Sequence, residues 1–139
     1  MINWQKTKYL IKKHEGKSLT LYKCPAGKLT IGYGHNIEDR GISDEVAEKL
    51  LEQDAQIAYK QVKNNISCFD TLDEARQYVL IDMCFNMGLS RLMTFKKMLL
   101  ALEKGLYQIA ADEMLDSKWA KQVSRRAEFL AQIMRTGIW

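Results

Sequence analysis

The sequence has very few of the residues that interrupt helices. It contains one proline and eight glycines among 139 residues, and no Pro/Ser-rich stretch divides it into parts. Its composition, 47% hydrophobic and 27% charged, excludes the disordered and low-complexity classes. A chain of this length is about one domain long. We therefore expect one globular domain, 1–139, that is mostly helical.

The chain has too few cysteines and histidines to predict a disulfide framework or a metal site. The three cysteines, Cys24, Cys68 and Cys84, are an odd number without CxxC spacing, so neither a disulfide framework nor a zinc site is predicted, and a reducing compartment is favoured. His14 and His35 lack a third ligand at helical spacing. We predict no metal and no cofactor, and interpret His35 as a structural hydrogen-bond partner.

Long apolar runs are also missing. The N-terminus leads straight into a charged, helix-like stretch, and nothing approaches the ~18 uninterrupted apolar residues of a membrane span. The sequence predicts no membrane insertion. If the protein works outside the cytoplasm, another component has to release it.

Positive charge exceeds negative charge, and the excess is uneven. The chain has 21 Lys and Arg against 17 Asp and Glu, a net charge of +4. Segment 117–139 holds only one acidic residue, Glu128, against five basic ones: Lys118, Lys121, Arg125, Arg126 and Arg135. Such a patch suits nucleic acid, an anionic membrane or the acidic bacterial wall. Because no nucleic-acid motif accompanies it, nucleic acid is the least favoured partner.

The first third of the chain changes from helical to β texture. Residues 2–14 contain no helix breaker, and Gly16 is placed to end a helix. In 18–35, apolar residues alternate with polar or small ones on both sides of Pro25-Ala26-Gly27. This pattern predicts a β-hairpin or small meander.

Helical spacing returns after Ser43, which is a good N-cap. The stripe that follows consists of Ala47, Leu50, Leu51, Ala58 and Val62. Residues 73–87 are apolar nearly all round, so we predict a buried central helix that ends at Gly88. Shorter helices are predicted at about 95–104, 106–115 and 125–135. The fold class is α+β and mainly α-helical: a small β-containing lobe at about 15–40, a connecting helix at 43–64, and a helical lobe at 70–139 packed with the N-terminal helix, with a cleft between the lobes.

Glu15 is the first candidate for chemistry. Glycoside cleavage needs a carboxylic acid to protonate the leaving oxygen and a second group to steer water or attack the anomeric carbon. Glu15 lies at a helix–strand junction, a fixed edge of the kind where a carboxyl can be held for such a role. On its own, a glutamate in the last turn of a helix is ordinarily a solvated surface charge.

The segment 15–35 resembles the active-site stretch of phage-type lysozymes, glycoside hydrolase family 24. It begins with a Glu-Gly pair and ends in Thr-Ile-Gly-Tyr-Gly-His. The family's catalytic pattern is Glu, eight residues, Asp or Cys, five residues, then Thr, and it falls here on Glu15, Cys24 and Thr30. Three later segments are also similar to family landmarks: Phe85-Asn86-Met87-Gly88, Ser117-Lys118-Trp119 with Arg126-Ala127, and Arg135-Thr136-Gly137-Ile138-Trp139.

The resemblance implies a lysozyme-like fold and an N-acetylmuramidase that hydrolyses the β-1,4 bond between N-acetylmuramic acid and N-acetylglucosamine. Glu15 would donate the proton, and Cys24 and Thr30 would position water in a single, inverting displacement. Phe85 and Asn86 would line the substrate cleft, although Phe85 on an apolar helix is by default a core residue. Arg126 would pair with the catalytic glutamate. No cofactor is implied.

The resemblance also implies a biological setting. It suggests a monomeric phage or prophage endolysin that acts on peptidoglycan. Such an enzyme would be made in the host bacterial cytoplasm and released to the wall through a holin-like pore.

Cys24 departs from the best-known relatives, which have aspartate at this position. A thiol with an ordinary pKa of ~8.5 is mostly neutral at pH 7, although a nearby cation, Lys23 or Arg126, would lower that pKa. Three roles stay open for Cys24: base, nucleophile or packing residue. So do two other functions: a lytic transglycosylase, in which one acid suffices and the sugar's own 6-hydroxyl displaces, and a wall-binding module without turnover.

Overall fold

In the computed structural model, which describes residues 1–139, the chain begins with helix α1 (Trp4–Glu15). The Asn3 side chain caps it by accepting the Lys6 N–H at 3.0 Å, as N-cap residues do. The helix ends where the Gly16 N–H donates to the Lys12 carbonyl at 3.0 Å. The predicted first helix and its end at Gly16 are confirmed.

Three short antiparallel strands follow, in the spatial order β1 (Ser18–Lys23), β2 (Leu29–Gly32) and β3 (His35–Asn36). The sequence predicted a hairpin or a small meander here, and the structure contains the meander. In the β1–β2 loop, the Gly27 N–H donates to the Cys24 carbonyl at 2.8 Å. Pro25 follows Cys24 at position i+1 of this turn, which suits proline. Gly27 has the positive φ of 79° that commonly closes a three-residue hairpin loop.

Two helices of different length complete the first half. The one-turn helix α2 (Ile37–Arg40) was not predicted, whereas α3 (Asp44–Asn65) was. The Ser43 hydroxyl oxygen accepts the Val46 N–H at 3.2 Å, so Ser43 is the expected cap. In the apolar stripe of α3, the buried positions are Ala58 and Val62.

The remaining helices form the main hydrophobic core. A 3-10 turn (Phe69–Thr71) precedes α4 (Glu74–Met87), α5 (Leu89–Leu92), α6 (Lys96–Glu103), α7 (Tyr107–Leu115), α8 (Lys118–Gln122) and α9 (Ser124–Thr136). Val79, Leu80 and Met83 of α4 are completely buried. The predicted central helix is therefore confirmed.

The chain forms two compact units, 1–49 and 50–139. The first holds α1, the sheet and α2, and the second holds the helical core. The fold class predicted from the sequence, α+β and mainly α-helical, is confirmed. Packing of the N-terminal helix against the helical lobe stays a prediction. None of the helices is both long and apolar enough to cross a membrane.

Candidate active site

The Glu15 carboxylate lies directly against the backbone of Gly34. A Cβ atom at residue 34 would come within 2.5 Å of Glu15 Oε2 and 2.9 Å of its Cδ. Gly34 also has φ = 76°, in the region that disfavours side chains. Residue 34 must therefore be glycine for both its backbone conformation and the space that the carboxylate occupies. Glu15 is otherwise exposed.

The β1–β2 hairpin brings Cys24 and Thr30 together. Tyr22 pairs with Thr30 and Lys23 with Leu29. Cys24 is the next residue and stands where the β1–β2 loop begins. Thr30 is 2% exposed and is the one polar residue among the buried side chains. Its hydroxyl donates to the Lys28 carbonyl at 2.9 Å.

The pKa of Cys24 lies below the ordinary value of a thiol. The main cause is a hydrogen bond from the Lys28 backbone, supplemented by the Ala26 backbone and the Thr30 hydroxyl, while desolvation opposes them. The sequence analysis expected any lowering to come from a cation, Lys23 or Arg126, whereas the hydrogen bonds that lower this pKa come from the hairpin loop and Thr30, and Lys23 is not among the causes. Hydrogen bonds to the charged form of an acid favour that form. Cys24 is only partly buried, so the thiol can meet a reactant.

His35 has the structural role predicted for it. It pairs with Ile31 across β2 and β3, and its Nε2 donates to the Gly41 carbonyl at 2.6 Å. The ring thus ties β3 to the end of α2. No three His, Cys, Asp or Glu side chains in the chain are grouped as metal ligands.

Phe85, Asn86 and Arg126 lie in the second unit, and their share in a common site with Glu15 stays a prediction. Phe85 is 42% exposed, so it is not the core residue that its apolar helix suggests by default. Phe85 and Gln61 are among the residues that line a cavity of about 230 Å³. The Asn86 side-chain oxygen accepts the Trp119 indole N–H at 2.7 Å.

Arg126 pairs with a carboxylate that the sequence interpretation missed. Its Nε donates to Asp82 Oδ1 at 2.7 Å, and the Tyr78 hydroxyl donates to the other Asp82 oxygen at 2.8 Å. Burial, followed by the bond to Asp82, raises the pKa of Tyr78 to about 12. One sequence signal was available: Asp82 is the only charged residue between Tyr78 and Gly88, and a lone charge on a helix that is otherwise apolar needs a partner. A pairing of Arg126 with Glu15 stays a prediction.

The other two cysteines differ from Cys24. Burial raises the pKa of both the Cys68 and the Cys84 thiol. Cys84 is 3% exposed, as its apolar surroundings in the sequence suggested. All three cysteines are free, and Cys24 is the one whose surroundings favour a thiolate.

Comparisons with known proteins identify the family to which the chain belongs. The phage lysozyme family matches residues 12–134. A probable T4-type lysozyme of Dictyostelium discoideum is 29% identical over 94% of this chain and 94% of its own. An endolysin of Acyrthosiphon pisum secondary endosymbiont phage 1 is 35% identical over 81% of this chain and 75% of its own. The pre-baseplate central spike protein of Enterobacteria phage T4 is 26% identical over 92% of this chain but only 27% of its own. The chain belongs to the phage lysozyme family and is a glycoside hydrolase of the lysozyme type.

Proposed function

We propose that the protein is an N-acetylmuramidase that hydrolyses the β-1,4 bond between N-acetylmuramic acid and N-acetylglucosamine by a single, inverting displacement. The observation that carries this proposal is the placement of Cys24 and Thr30 at the loop end of one hairpin, where Thr30 pairs with Tyr22 and its hydroxyl is among the groups that lower the pKa of Cys24. Glu15, at the other end of the same short sequence motif, is fixed by its contact with Gly34.

In the proposed reaction, Glu15 donates a proton at one end of the motif, and the attacking water loses a proton at the other end, beside Cys24 and Thr30. Glu15 gives its proton to the glycosidic oxygen as the bond from that oxygen to the anomeric carbon breaks. A water molecule held by Cys24 and Thr30 forms the new bond to the anomeric carbon from the opposite face. The water's proton passes to the thiolate or to solvent, and Glu15 regains a proton from solvent for the next turnover.

The hydroxyl of Thr30 can serve both protonation states of Cys24. It has one proton, and while that proton is donated to the Lys28 carbonyl, the oxygen can only accept a hydrogen bond from the neutral thiol. When the thiol is ionised, the hydroxyl can rotate and donate to the sulfur, which lowers the pKa of Cys24. A thiolate then accepts a hydrogen bond from water, as a catalytic base requires.

Product analysis on purified peptidoglycan tests the reaction. Hydrolysis leaves reducing ends that carry one oxygen atom from labelled water, and inversion leaves the α-anomer first. A 1,6-anhydro end without solvent oxygen would instead establish transglycosylation, the reaction that needs no second catalytic group. Release of no soluble product by a folded, wall-bound protein would identify a binding module. Glu15→Gln is the matched inactive control for each measurement.

We further propose that the protein is an endolysin, made as a monomer in a host bacterial cytoplasm and released through a holin-like pore. The endolysin relative supports this role, whereas the spike-protein relative makes a virion-associated enzyme the competing assignment. Bacteria that express the chain should stay intact until their inner membrane is permeabilised, and should then lyse. Cells that express Glu15→Gln should survive the same treatment. Lysis before permeabilisation would contradict the need for a pore.

A further inference from the structure

The β1–β2 loop is tied to helix α2 by charged contacts. Lys28 Nζ lies 3.3 Å from an Asp39 carboxylate oxygen and 3.5 Å from Glu38 Oε2. The other Glu38 oxygen accepts the Leu29 backbone N–H at 3.2 Å. Two consecutive residues of the hairpin are therefore held by two consecutive residues of the helix.

The helix end of this connection is itself fixed. The Asn36 side-chain oxygen accepts the Asp39 N–H at 3.0 Å, and the Asn36 amide donates to an Asp39 carboxylate oxygen at 3.0 Å. Asn36 also pairs with Thr30 across the sheet. The carboxylates that hold Lys28 are thus anchored to the same sheet that carries Thr30.

The main chain of Lys28 contacts both residues that are proposed to position the water. Its carbonyl accepts the Cys24 N–H at 2.9 Å and the Thr30 hydroxyl at 2.9 Å. Its backbone is also the largest contribution to the low pKa of Cys24. A shift of the Lys28 main chain would move the sulfur and the hydroxyl relative to each other.

We infer that Lys28 is a positioning residue, whose side chain, held by Glu38 and Asp39, fixes the peptide that orients Cys24 and Thr30. The inference deepens the proposed function and rests on it for its catalytic consequence. The ion pairs are about half exposed, with side-chain exposures of 41–50%, and such pairs contribute little to global stability. Their effect is therefore local, and small displacements of reacting groups are costly in rate.

The test compares Lys28→Met, Lys28→Arg and Lys23→Met. Lys28→Met keeps most of the side-chain volume but removes the charge, Lys28→Arg restores it, and Lys23→Met removes a charge beside Cys24 that has no contact with α2. The first readout is the rate of Cys24 alkylation by iodoacetamide across neutral and alkaline pH, measured by peptide mass spectrometry so that Cys68 and Cys84 do not contribute. The second is the rate of reducing-end release from peptidoglycan.

Lys28→Met should move the alkylation curve of Cys24 to higher pH and lower kcat by roughly 10- to 100-fold, the cost of displacing a reacting group by up to an ångström. KM should stay the same. Lys28→Arg should restore both values, and Lys23→Met should change neither. Glu38→Gln, which weakens the same connection from the helix side, should shift the curve in the same direction.

A folded Lys28→Met protein with the wild-type alkylation curve and kcat would overturn the inference, as would a lower melting temperature with an unchanged curve. The alkylation measurement does not depend on turnover. If wild-type protein releases no product, the proposed function fails, and the shift of the Cys24 curve still decides whether Lys28 positions the loop.

Discussion

In the proposed reaction, Cys24 takes the place where inverting glycosidases ordinarily use a second carboxylate. The sequence located this residue by its spacing from Glu15 and Thr30, but it could not show what surrounds the sulfur. The main donors that lower the pKa of Cys24 are main-chain groups of Lys28 and Ala26, followed by the Thr30 hydroxyl. Their directions depend on the shape of the turn, which side-chain identity does not reveal. The thiol therefore has an environment that favours its ionised form without a contribution from the neighbouring Lys23.

Glu15→Gln should fold normally and lose most of its activity. Glutamine keeps the shape that packs against Gly34 but has no acidic proton for the leaving oxygen. The rate of peptidoglycan hydrolysis should fall by at least ~10²-fold, the lower end for general acid catalysis. Circular dichroism and the melting temperature should match wild type. Near-normal clearing of cell walls by the folded variant would contradict the muramidase assignment.

Cys24→Asp should fold and stay active, because it restores the pair of carboxyl groups used in inverting hydrolysis. Cys24→Ala should lose much of the rate and keep its affinity for cell walls, since only the water-positioning group is gone. The pH profiles distinguish the two active proteins. Wild-type activity should rise toward alkaline pH through the lowered pKa of the thiol, whereas the Asp variant should peak at lower pH. Full hydrolytic activity in Cys24→Ala would make Cys24 a packing residue.

The turn between β2 and β3 lies against Glu15, the proposed catalytic acid. Gly32 and Gly34 both have positive φ, at 70° and 76°, but only Gly34 lies under Glu15. Sequence similarity supplied this Gly-Tyr-Gly motif as a landmark. The structure supplies the reason for its second glycine, which is the approach of the carboxylate to the backbone.

Gly34→Ala and Gly32→Ala therefore form a matched pair. Each should lose stability by about 1–2 kcal/mol, because alanine disfavours positive φ. Only Gly34→Ala also places a Cβ where the Glu15 carboxylate lies, so only this variant should lose hydrolysis by about 10²-fold or more. Chemical denaturation and reducing-end assays measure the two effects separately. Equal activity in the two variants would show that the Gly34 contact does not position Glu15.

The helices of eight or more residues were predictable, and those of four or five residues were not. The starts and ends of α6, α7 and α9 lie within one residue of their predicted positions, because several turns of apolar spacing and a terminal glycine or serine mark them. Helices α2, α5 and α8 have four or five residues, too few for any periodicity. Capping residues, Asn36 for α2 and Ser117 for α8, were their only local signals.

Tyr78 of α4 makes the contact between α4 and α9 sensitive to alkaline pH. Its hydroxyl bonds to Asp82, which also holds Arg126. Because the folded pKa of about 12 exceeds the ordinary 10.0, the folded state binds the phenolic proton more tightly than the unfolded state. The resulting stability is complete below pH 10 and is lost as the pH rises toward 12.

Tyr78→Phe should remove this alkaline loss of stability. A tenfold difference in proton affinity is worth about 1.4 kcal/mol, so the wild type should lose on the order of 2 kcal/mol of unfolding free energy between pH 10 and 12 through this residue. The variant keeps the ring beside Trp139 but has no hydroxyl to ionise. Tyr9→Phe, at an exposed tyrosine of α1, is the control and should behave as wild type. Denaturant titrations at several alkaline pH values measure the difference, and parallel curves for wild type and Tyr78→Phe would contradict it.

The sequence shows where the basic residues lie, but not which of them are paired with carboxylates. Among the five basic residues of the C-terminal segment, Arg126 is paired with Asp82 and Arg135 with Asp112, at 2.7 and 2.8 Å. The other three, Lys118, Lys121 and Arg125, are exposed. The acidic partners lie on α4 and α7, far away in sequence, so the free part of the basic patch could be identified only in the folded chain.

The exposed residues Lys118, Lys121 and Arg125 should attract the anionic wall, and this attraction should weaken with salt. The Debye length falls from ~10 Å at 0.1 M to ~3 Å at 1 M ionic strength, so binding of wild-type protein to purified walls should decrease over that range. Replacing all three residues by glutamine should weaken binding at low salt and flatten its salt dependence. Arg135→Gln should leave the salt dependence nearly unchanged, because the Arg135 guanidinium is already paired with Asp112. Hydrolysis of a short neutral chitooligosaccharide should respond to salt much less than hydrolysis of the wall, since a neutral substrate has no charge for the patch to attract. Equal salt sensitivity on both substrates, or an undiminished salt dependence in the triple variant, would show that the patch has no part in wall binding.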